Sequence, residues 1–466
     1  MLGRRVLFAN KLVVLSTYEI PMILFTSLVI SIMGIPSDLN ITNYSEMILR
    51  KEDIEIMAPV GSYESLMAAI QGGANSVYFG VEQLNMRSKS SLNFTLKDLH
   101  TIANTCREHG IKSYLTVNTI IYDHDLQMMR RIVDAAKEAL VSAIIASDMA
   151  VINYAFEQGV EIHASTQLNV SNFEALKFFS RFCDVIVTAR ELSLMQVKAI
   201  TKQIEEQDVR GPKAELLRIE AFVHGALCMA VSGKCYLSLH EQNSSANRGA
   251  CKQTCRKAYT VTEKESGYQL EIDNEYIMSP KDLCTVGFLD QVLDAGIRVL
   301  KIEGRARSPE YVKTVVRSYR QAADAYVDGL YNRELADKLT DNLSTVFNRG
   351  FWDGYYLGRK MGEWSSEYGS QATKRKVYLA KGMNFFSNLG VAEFFMEAGE
   401  LSVGEEVIIT GPSTGVVEVT VDEIRVNLIP VEKALKGDSF SIKVPEKVRR
   451  GDRMYKIVDA SETVIQ

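Results

Sequence analysis

Four of the chain's seven cysteines lie between residues 228 and 255, close enough in sequence to act together. Cys228 and Cys235 form a C-x6-C pair in HGALCMAVSGKC, and Cys251 and Cys255 form a C-x3-C pair in ANRGACKQTCRKAY. Both spacings are looser than the C-x2-C pairs whose tight turns aim two sulfurs at one zinc ion. Four thiolates from irregular loop also hold iron–sulfur clusters. The spacing therefore leaves three alternatives open: an iron–sulfur cluster, a structural zinc site, or redox thiols without a metal.

The other three cysteines are weaker candidates for a metal or redox site. Cys284, in MSPKDLCTVG, is predicted to start a helix and is a reserve candidate ligand. Cys106 and Cys183 fall within or beside predicted helices. Because free cysteine is often a buried apolar residue, these two are interpreted as structural.

Composition indicates an ordinary globular protein. Hydrophobic residues make up 46% of the 466-residue chain and charged residues 24%, with a net charge of −5. A chain of this length is expected to contain more than one domain. The net charge does not indicate a nucleic-acid binder, although a local basic patch remains possible. The odd number and low density of cysteines argue against a secreted disulfide scaffold.

The N-terminal 46 residues differ from the rest. The apolar segment PMILFTSLVISIMGI follows Arg4, Arg5 and Lys11, a pattern typical of a signal peptide or a short membrane anchor. It is short for a full span, which needs roughly 20 residues. The alternative is a mis-assigned start, with translation beginning at Met47. We favour that alternative, and with it a cytoplasmic location and no stable membrane association.

Short apolar strands alternate with amphipathic helices from residue 54 to residue 304. The predicted strands are 54–59, 76–80, 112–118, 143–148, 160–166, 184–189, 218–225 and 297–304. This alternation is typical of α/β proteins with parallel sheets, and eight repeats predict a TIM-type (β/α)8 barrel over residues 47–330. A doubly wound open sheet is the alternative, but no GxGxxG follows the first strand.

Polar side chains follow the predicted strands where each strand ends. They are Asn118, Asp148, Thr166, Gln167, Arg190, Glu191, His224 and Glu303. In a barrel these strand ends share one face, and that face carries the chemistry. The cysteine-bearing insertion, residues 225–285, follows the seventh strand and is predicted at the same face. The alternative interpretation is that strand ends are polar only because they reach solvent.

The pattern of predicted secondary structure changes after about residue 330. Residues 331–375 are predicted to form a helical extension and linker, and residues 376–466 contain short strands separated by turns, as in a small β-barrel. Lys374, Arg375 and Lys376 and the segment KVRRGDR (447–453) supply basic residues that could contact phosphates. Solvated surface charge is the alternative explanation for these runs.

Several long motifs resemble the U32 peptidase family. MAPVGSYESLMAAIQGGANSVYFG resembles the family's opening segment, APAGxxExLxAAxxxGADAVYxG. FVHGALCMAVSGKCYLS and NRGACKQTCRKAY resemble its cysteine-bearing segments. KIEGRARSPEYVKTVVRSYRQAADAY and FNRGFWDGYYLG resemble its last barrel segment and its tail. The resemblance is strong over residues 53–375 and weaker beyond them.

The resemblance implies two kinds of activity. The family name implies proteolysis, and some members are labelled collagenases. The better understood bacterial members resemble oxygen-independent hydroxylases that hold a [4Fe–4S] cluster on four cysteines. Their substrates are a wobble uridine of tRNA, a 23S ribosomal RNA cytidine or the ubiquinone ring, with prephenate implicated in the RNA reactions. By this resemblance the cluster ligands are Cys228, Cys235, Cys251 and Cys255.

The length and the appended β-barrel are similar to the tRNA hydroxylation protein P branch. The expected function is therefore oxygen-independent hydroxylation of the tRNA wobble uridine to 5-hydroxyuridine, with prephenate as oxygen donor. The alternatives are a U32-type peptidase and a 23S rRNA cytidine hydroxylase. H-E-x-x-H does not occur in the sequence, and the G-x-S-x-G match GPSTG (411–415) lies between two short predicted strands rather than at a strand-to-helix turn. Expected partners are tRNA, alternatively rRNA or a peptide, and an electron donor or a paralogous partner subunit.

The implied donor is a dicarboxylate, which requires cationic partners. Arg87, Arg190 and Arg305 follow strands two, six and eight, and guanidinium groups bind carboxylates in a bidentate manner. The alternative is that they form ion pairs with acidic residues nearby, namely Glu82, Glu191 or Glu303.

The remaining candidates would handle protons and the substrate. His163 and His224 are candidates for proton transfer near neutral pH, although buried histidines are often structural. Asn118 and Gln167 are expected to contact a base edge or a carboxylate. Glu303 completes the predicted catalytic set.

Overall fold

A closed barrel of eight parallel strands forms the centre of the protein, which confirms the predicted TIM-type fold. The computed structural model describes residues 49–88, 94–257, 261–262, 264–265, 269–270, 279–358, 363–365 and 369–462. The barrel strands are β1 (Glu55–Pro59), β2 (Ser76–Phe79), β3 (Lys112–Val117), β4 (Ala143–Ala146), β5 (Ile162–Ala164), β6 (Val185–Val187), β7 (Arg218–Ala226) and β11 (Ile297–Ile302). Each strand pairs in parallel with the next, and β11 closes the barrel by pairing with both β7 and β1. The predicted N-terminal extension, residues 1–46, lies outside the described residues.

Helices alternate with the barrel strands, as predicted. They are α1 (Tyr63–Gly72), α2 (Asp98–Glu108), α3 (Leu126–Glu138), α4 (Met149–Glu157), α5 (Phe173–Phe179), α6 (Leu194–Glu206), α8 (Leu289–Asp294) and α9 (Pro309–Val327). Local sequence fixes their ends: Ser62 accepts a hydrogen bond from the Ser65 amide at the start of α1, and Gly73 ends that helix with a φ of 88°. Within the described ranges, no helix is long and apolar enough to cross a membrane.

The interior of the barrel is partly polar. Barrel strands are buried on both faces, which explains why they are short apolar runs in the sequence. Met57, Tyr114 and Val299 pack together inside the barrel. The charged side chains of Glu220 and Lys301 are also buried within it. Because buried charges are costly unless they are paired, this interior must hold them in ion pairs.

The cysteine-bearing insertion begins at the end of β7 and returns to pair with that strand. It contains α7 (Leu237–Gln242) and a two-stranded sheet of β8 (Val261–Thr262) and β9 (Gln269–Leu270). It returns as β10 (Asp282–Cys284), which pairs antiparallel with the end of β7. The predicted helix start at Cys284 is therefore wrong. The last residues of β7 extend past the barrel, and β10 satisfies their backbone groups.

The C-terminal region forms antiparallel sheets, which confirms its predicted all-β character. It follows α10 (Arg333–Ser344) and β12 (Phe351–Trp352), which pairs with β10. An eight-stranded sheet contains β13 (Lys374–Phe386), β14 (Val391–Met396), β16 (Glu406–Gly411), β17 (Gly415–Thr420), β18 (Ile424–Val426), β19 (Ile429–Val431), β21 (Ser439–Lys443) and β22 (Arg453–Asp459). A two-stranded sheet pairs β15 (Glu400–Ser402) with β20 (Lys433–Leu435). Phe394 and Phe440 stack in the core of this region.

The C-terminal sheet packs on two barrel helices. Gln71 of α1 accepts a hydrogen bond from the Val416 amide at 2.9 Å and donates one to the Thr414 carbonyl at 3.0 Å. Lys313 of α9 donates to the Val416 carbonyl at 2.7 Å. Because these contacts involve backbone groups of β17 and its turn, they fix the sheet against the outside of the barrel.

Gly225 tests how tightly β7 and β11 pack. Its φ is 100°, and an added Cβ would lie 2.4 Å from the Glu303 carbonyl oxygen. We expect Gly225→Ala to lower the free energy of unfolding by about 3 kcal/mol, because both the backbone conformation and the space are unsuitable for a side chain. Urea unfolding measures this. Gly287→Ala is the matched control, because an added Cβ there would have no atom within 4 Å. Equal losses in the two variants would contradict the prediction.

Candidate active site

A cavity of about 230 Å³ opens where the barrel strands end. Ten of the predicted site residues line it: Arg87, Asn118, Gln167, Arg190, Cys228, Cys235, Cys251, Cys255, Glu303 and Arg305. The strand ends form one wall, and the insertion forms the other. The barrel and its insertion therefore bring the sequence-predicted residues to one place, with the exception of the two histidines.

The insertion is held across the mouth of the barrel by contacts with the loops that follow the strands. Arg248 forms an ion pair with Asp125 and lies over the ring of Tyr122, both beyond β3. Gly249 approaches the loop after β2 so closely that an added Cβ would lie 2.2 Å from Ser88 Oγ. Asn169, beyond β5, donates a hydrogen bond to the Ser232 carbonyl at 3.0 Å. These contacts place both cysteine pairs over the strand ends.

The four thiols influence one another. Cys228 is exposed, and the other three are half-buried. Burial raises the pKa of Cys235, and the neighbouring Cys228 and Cys251 add to the shift. Burial also raises the pKa of Cys255, again with contributions from the other three sulfurs. The four side chains are thus near enough to repel one another as thiolates, a repulsion that bound metal cations would relieve.

Glu303 lies among Arg87, Arg190 and Arg305, which together form the cationic wall of the cavity. Its carboxylate pairs with Arg87 at 2.8 Å and accepts a hydrogen bond from the Tyr78 hydroxyl at 3.2 Å. Burial acts to raise the pKa of Glu303, but Arg87, Arg190 and Arg305 together lower it to about 2. Glu303 is the main cause that raises the pKa of Arg87, and Cys251 is a smaller one. Arg87 therefore stands between the acidic centre of this wall and the thiols opposite.

Two of the predicted arginines are not neutralised by direct ion pairs. Arg305 donates to Asn85 at 3.2 Å and to Thr116 at 2.9 Å, both uncharged partners. Burial lowers the pKa of Arg305 to about 10. Arg190 lies 4.2 Å above the ring of Phe222, and its buried Nε has no hydrogen-bond partner in the part of the chain that the structure describes. Of the predicted ion pairs, the structure contains the one between Arg87 and Glu303.

A second cavity, of about 340 Å³, adjoins the first and is lined mainly by uncharged polar groups. Asn118 and Gln167 line both cavities. Asn118 Oδ1 accepts a hydrogen bond from the Met86 amide, and its Nδ2 donates to Gln167 Oε1 at 3.3 Å. Ser165 also donates to Gln167 Oε1. Because its oxygen has two donors, the Gln167 amide is fixed with Nε2 available to a ligand.

Four basic residues of the cavity were not predicted: Arg256, Lys301, Arg307 and Arg349. Arg256 donates to the carbonyls of Leu227 and Pro280, at the two ends of the insertion. Arg307 stacks 3.5 Å from the ring centroid of Phe347 and makes no side-chain hydrogen bond or ion pair within the described ranges. Arg256 directly follows the predicted ligand Cys255 in the sequence, and Arg307 lies two residues after the predicted Arg305. Their positions next to predicted site residues could therefore have identified them.

The two predicted histidines do not line the cavity. His224 is buried among the rings of Tyr311, Tyr319 and Phe351. Burial lowers the pKa of His224 to about 3, so it is neutral at physiological pH. His163 lies inside the barrel with no exposed surface.

Cys284 is also set apart from the four cavity thiols. It is buried on β10, where the Tyr319 hydroxyl lies 4.0 Å from its sulfur. Burial raises the pKa of Cys284 to about 11. The structure thus gives Cys284 the surroundings of a structural cysteine rather than those of a ligand shared with the other four.

The barrel, its cysteine-bearing insertion and the cavity between them define a TIM-type barrel protein with a candidate active site at the ends of its strands. The model of peptidase family U32 matches residues 61–366, about two thirds of the chain. The chain therefore belongs to peptidase family U32, which confirms the resemblance found in the sequence.

Relatives with different named activities match this chain. A Porphyromonas gingivalis protein named collagenase is 61% identical over 404 residues, covering 87% of this chain and 98% of the relative. The tRNA hydroxylation protein P1 of Bacillus subtilis is 31% identical over 325 residues, covering 68% of this chain and 74% of the relative. A 23S rRNA 5-hydroxycytidine synthase of Escherichia coli is 32% identical over 324 residues, covering 67% of this chain and 47% of the relative.

Glu303→Gln tests the charge balance of the cationic wall. Because the pKa of Glu303 in the folded chain lies below its ordinary value of 4.5, its stabilisation is fully present above that pH and is lost as the pH falls toward about 2. We expect Glu303→Gln to lower the free energy of unfolding by about 3 kcal/mol at pH 7, because Arg87 loses its partner. The difference from the wild type should shrink below pH 4.5. Urea unfolding over a pH series measures it, and a difference that does not change with pH would contradict the assignment.

Proposed function

We propose that this protein is an oxygen-independent RNA hydroxylase that holds a [4Fe–4S] cluster and acts on the wobble uridine of tRNA. The proposal rests on one observation: four thiols and a set of arginines line the same cavity at the end of the barrel. Thiolates suit an electron-carrying cluster, and the arginines suit an anionic oxygen donor. Prephenate, a dicarboxylate, is the donor that we propose.

The thiol arrangement fits a cluster better than a single ion. Among the described residues, no three His, Cys, Asp or Glu side chains converge as ligands of one metal ion. A structural zinc site requires such convergence. A [4Fe–4S] cluster instead takes each thiolate on a different iron, so its ligands surround a volume. We assign Cys228, Cys235, Cys251 and Cys255 as the ligands. When bound, the cluster supplies one-electron transfer.

Arg190 and Arg307 are the cations best placed to bind the donor. Neither makes an ion pair within the described ranges, and each guanidinium is stacked on an aromatic ring, Phe222 or Phe347. Stacking restricts an arginine before a ligand arrives, so less conformational entropy is lost on binding. The two carboxylates of prephenate would each meet a positioned guanidinium.

The amide-lined second cavity suits the pyrimidine base. Gln167 Nε2 is oriented to donate a hydrogen bond, which a pyrimidine carbonyl accepts. A base must leave its stack to reach such a pocket. Prephenate would supply the oxygen of the new hydroxyl group as hydroxide when its ring C–OH bond breaks with loss of CO2, which leaves phenylpyruvate. Replacing the pyrimidine C–H by C–OH with that hydroxide releases one proton and two electrons. A redox partner protein must accept these electrons one at a time.

We propose that the C-terminal sheets contact the RNA backbone, and the second of the two predicted basic segments is better suited to this than the first. Lys374 pairs with Glu406 and Lys376 with Glu310, so this pair of lysines is largely neutralised. Lys447 and Arg450 are exposed in the segment before β22. These two are therefore the better candidates for phosphate contacts.

A peptidase is the second candidate, because the relative at 61% identity is named a collagenase. A cysteine peptidase needs a general base next to its nucleophile. The described walls of the cavity contain cysteines but no histidine, and His224 is enclosed by aromatic rings instead. The geometry therefore favours the hydroxylase.

The cluster assignment predicts a specific metal content. Protein purified without oxygen should be brown and contain iron with acid-labile sulfide, and Cys228→Ala, Cys235→Ala, Cys251→Ala and Cys255→Ala should each lose most of both. Cys284→Ala is the control and should retain them, because Cys284 lies outside the cavity. Iron and sulfide assays measure the outcome. Stoichiometric zinc without sulfide would refute the cluster.

The substrate is tested by nucleoside mass spectrometry of RNA from a deletion strain. We expect 5-hydroxyuridine and its derivatives to disappear from tRNA, to return with the wild-type gene and not to return with Cys251→Ala. The Cys284→Ala gene should restore them. Loss of 5-hydroxycytidine from 23S rRNA instead would identify the ribosomal substrate. Unchanged RNA, together with cleavage of collagen peptides by the purified protein, would replace the proposal by the peptidase.

A further inference from the structure

A line of buried charged side chains runs through the barrel from the cavity to the opposite end. Lys301 lines the cavity and pairs with Glu220 at 2.6 Å. Glu220 Oε2 lies 3.6 Å from His163 Nδ1, and His163 Nε2 lies 3.5 Å from Glu161 Oε1. Glu161 pairs with Lys213, whose side chain is 52% exposed. The line thus begins at the cavity wall and ends in solvent.

The order of these residues along their strands shows that the line crosses the whole barrel. Lys301 is in the last part of β11, next to the cavity. Glu220 and His163 are in the middle of the barrel, and Glu161 precedes β5 at its amino end. TIM-barrel interiors are normally filled by branched apolar residues. A buried charged line costs desolvation energy, so it requires an explanation beyond packing.

The hydrogen bonding of His163 is incomplete. In the described part of the chain, neither of its ring nitrogens has a hydrogen-bond partner of acceptable geometry, nor does Glu220 Oε2, and all three atoms are buried. Buried polar groups are normally paired. The separations of 3.5 and 3.6 Å exceed an ordinary hydrogen bond by a few tenths of an ångström. The ring is therefore flanked by two carboxylates without being locked to either.

We propose that Lys301, Glu220, His163 and Glu161 form a proton pathway that connects the active-site cavity to solvent at the opposite end of the barrel. The pathway deepens the proposed function, because hydroxylation releases a proton inside a cavity that the insertion covers. Its residues are positioning and proton-carrying groups behind the site, since only Lys301 touches the cavity.

The transfer moves one proton through the barrel and no electrons. Lys301 takes up the released proton as it passes another to Glu220 Oε1. The His163 imidazolium releases its Nε2 proton to Glu161, which passes it to water beside Lys213. When the ring turns over, its bare nitrogen faces Glu220 and accepts the proton held there. The starting charges are then restored.

Other charged groups around His163 support its protonated form. Burial acts to lower the pKa of His163, but Glu161 and Glu220 outweigh it and raise the pKa. Glu55 and Asp184 also interact with its charge. The Tyr114 ring packs 4.4 Å away and donates its hydroxyl hydrogen bond to Glu55 rather than to His163.

Proton exchange at the histidine rings tests the pathway without any enzyme assay. In the full chain labelled with 15N-histidine, His163 and His224 are equally buried, but only His163 adjoins carboxylates. We expect the ring N–H protons of His163 to exchange with water at least about tenfold faster than that of His224. Glu220→Gln and Glu161→Gln should each remove most of this difference. Asp98→Asn, a half-buried carboxylate outside the barrel that accepts a hydrogen bond from Tyr63, should preserve it.

Kinetics then link the pathway to the reaction. Glu220→Gln should lower the hydroxylation rate constant by about 10²-fold with an unchanged KM, whereas Asp98→Asn should leave both unchanged. If Glu220→Gln does not fold, Glu161→Gln serves at the half-buried end of the line. Exchange at His163 as slow as at His224, or unaffected by both glutamine variants, would overturn the pathway. If the wild-type protein did not hydroxylate RNA, the proposed function would be overturned. The proton pathway would then be decided by the histidine exchange measurement alone.

Discussion

The carboxylate of Glu303 is the interaction on which the site depends. It stands at the end of the strand that closes the barrel, and it lowers the repulsion among Arg87, Arg190 and Arg305. Without this negative charge, several guanidinium groups would face one another in a desolvated cavity. The carboxylate neutralises one arginine directly and leaves the others stacked on rings or bonded to neutral partners. The cavity thereby keeps a positive surplus for an anionic ligand.

Thiols and cations line the same cavity because the insertion starts at the end of β7 and returns beside it as β10. The parallel strands deliver cations and amides to one face, as the topology of the barrel requires. The insertion supplies thiols from the other side and is fastened to the loops beyond β2, β3 and β5. An electron-transfer group and an anion site can then sit within one enclosed volume. The family relationship alone would not reveal this arrangement.

The sequence predicted most of the fold because each barrel strand is a short apolar run. Six of the ten predicted residues that line the cavity were selected because they follow those runs, and the four cysteines because of their spacing and the family resemblance. Prediction failed where the end of a strand was misplaced. β5 ends at Ala164, so His163 points into the barrel instead of lying at its mouth. β7 continues beyond His224, because the returning strand β10 pairs with it. Pairing between distant segments leaves no periodic signal, which also explains why the strand at Cys284 was read as a helix start.

Arg256 ties the base of the insertion. Its guanidinium donates a hydrogen bond to the carbonyl of Leu227, where the chain leaves β7. It also donates to the Ser279 hydroxyl and the Pro280 carbonyl, where the chain returns. All four cavity cysteines lie between Leu227 and Ser279 in the sequence. Because one side chain joins the two ends, Arg256 closes the insertion at its base as a covalent cross-link would.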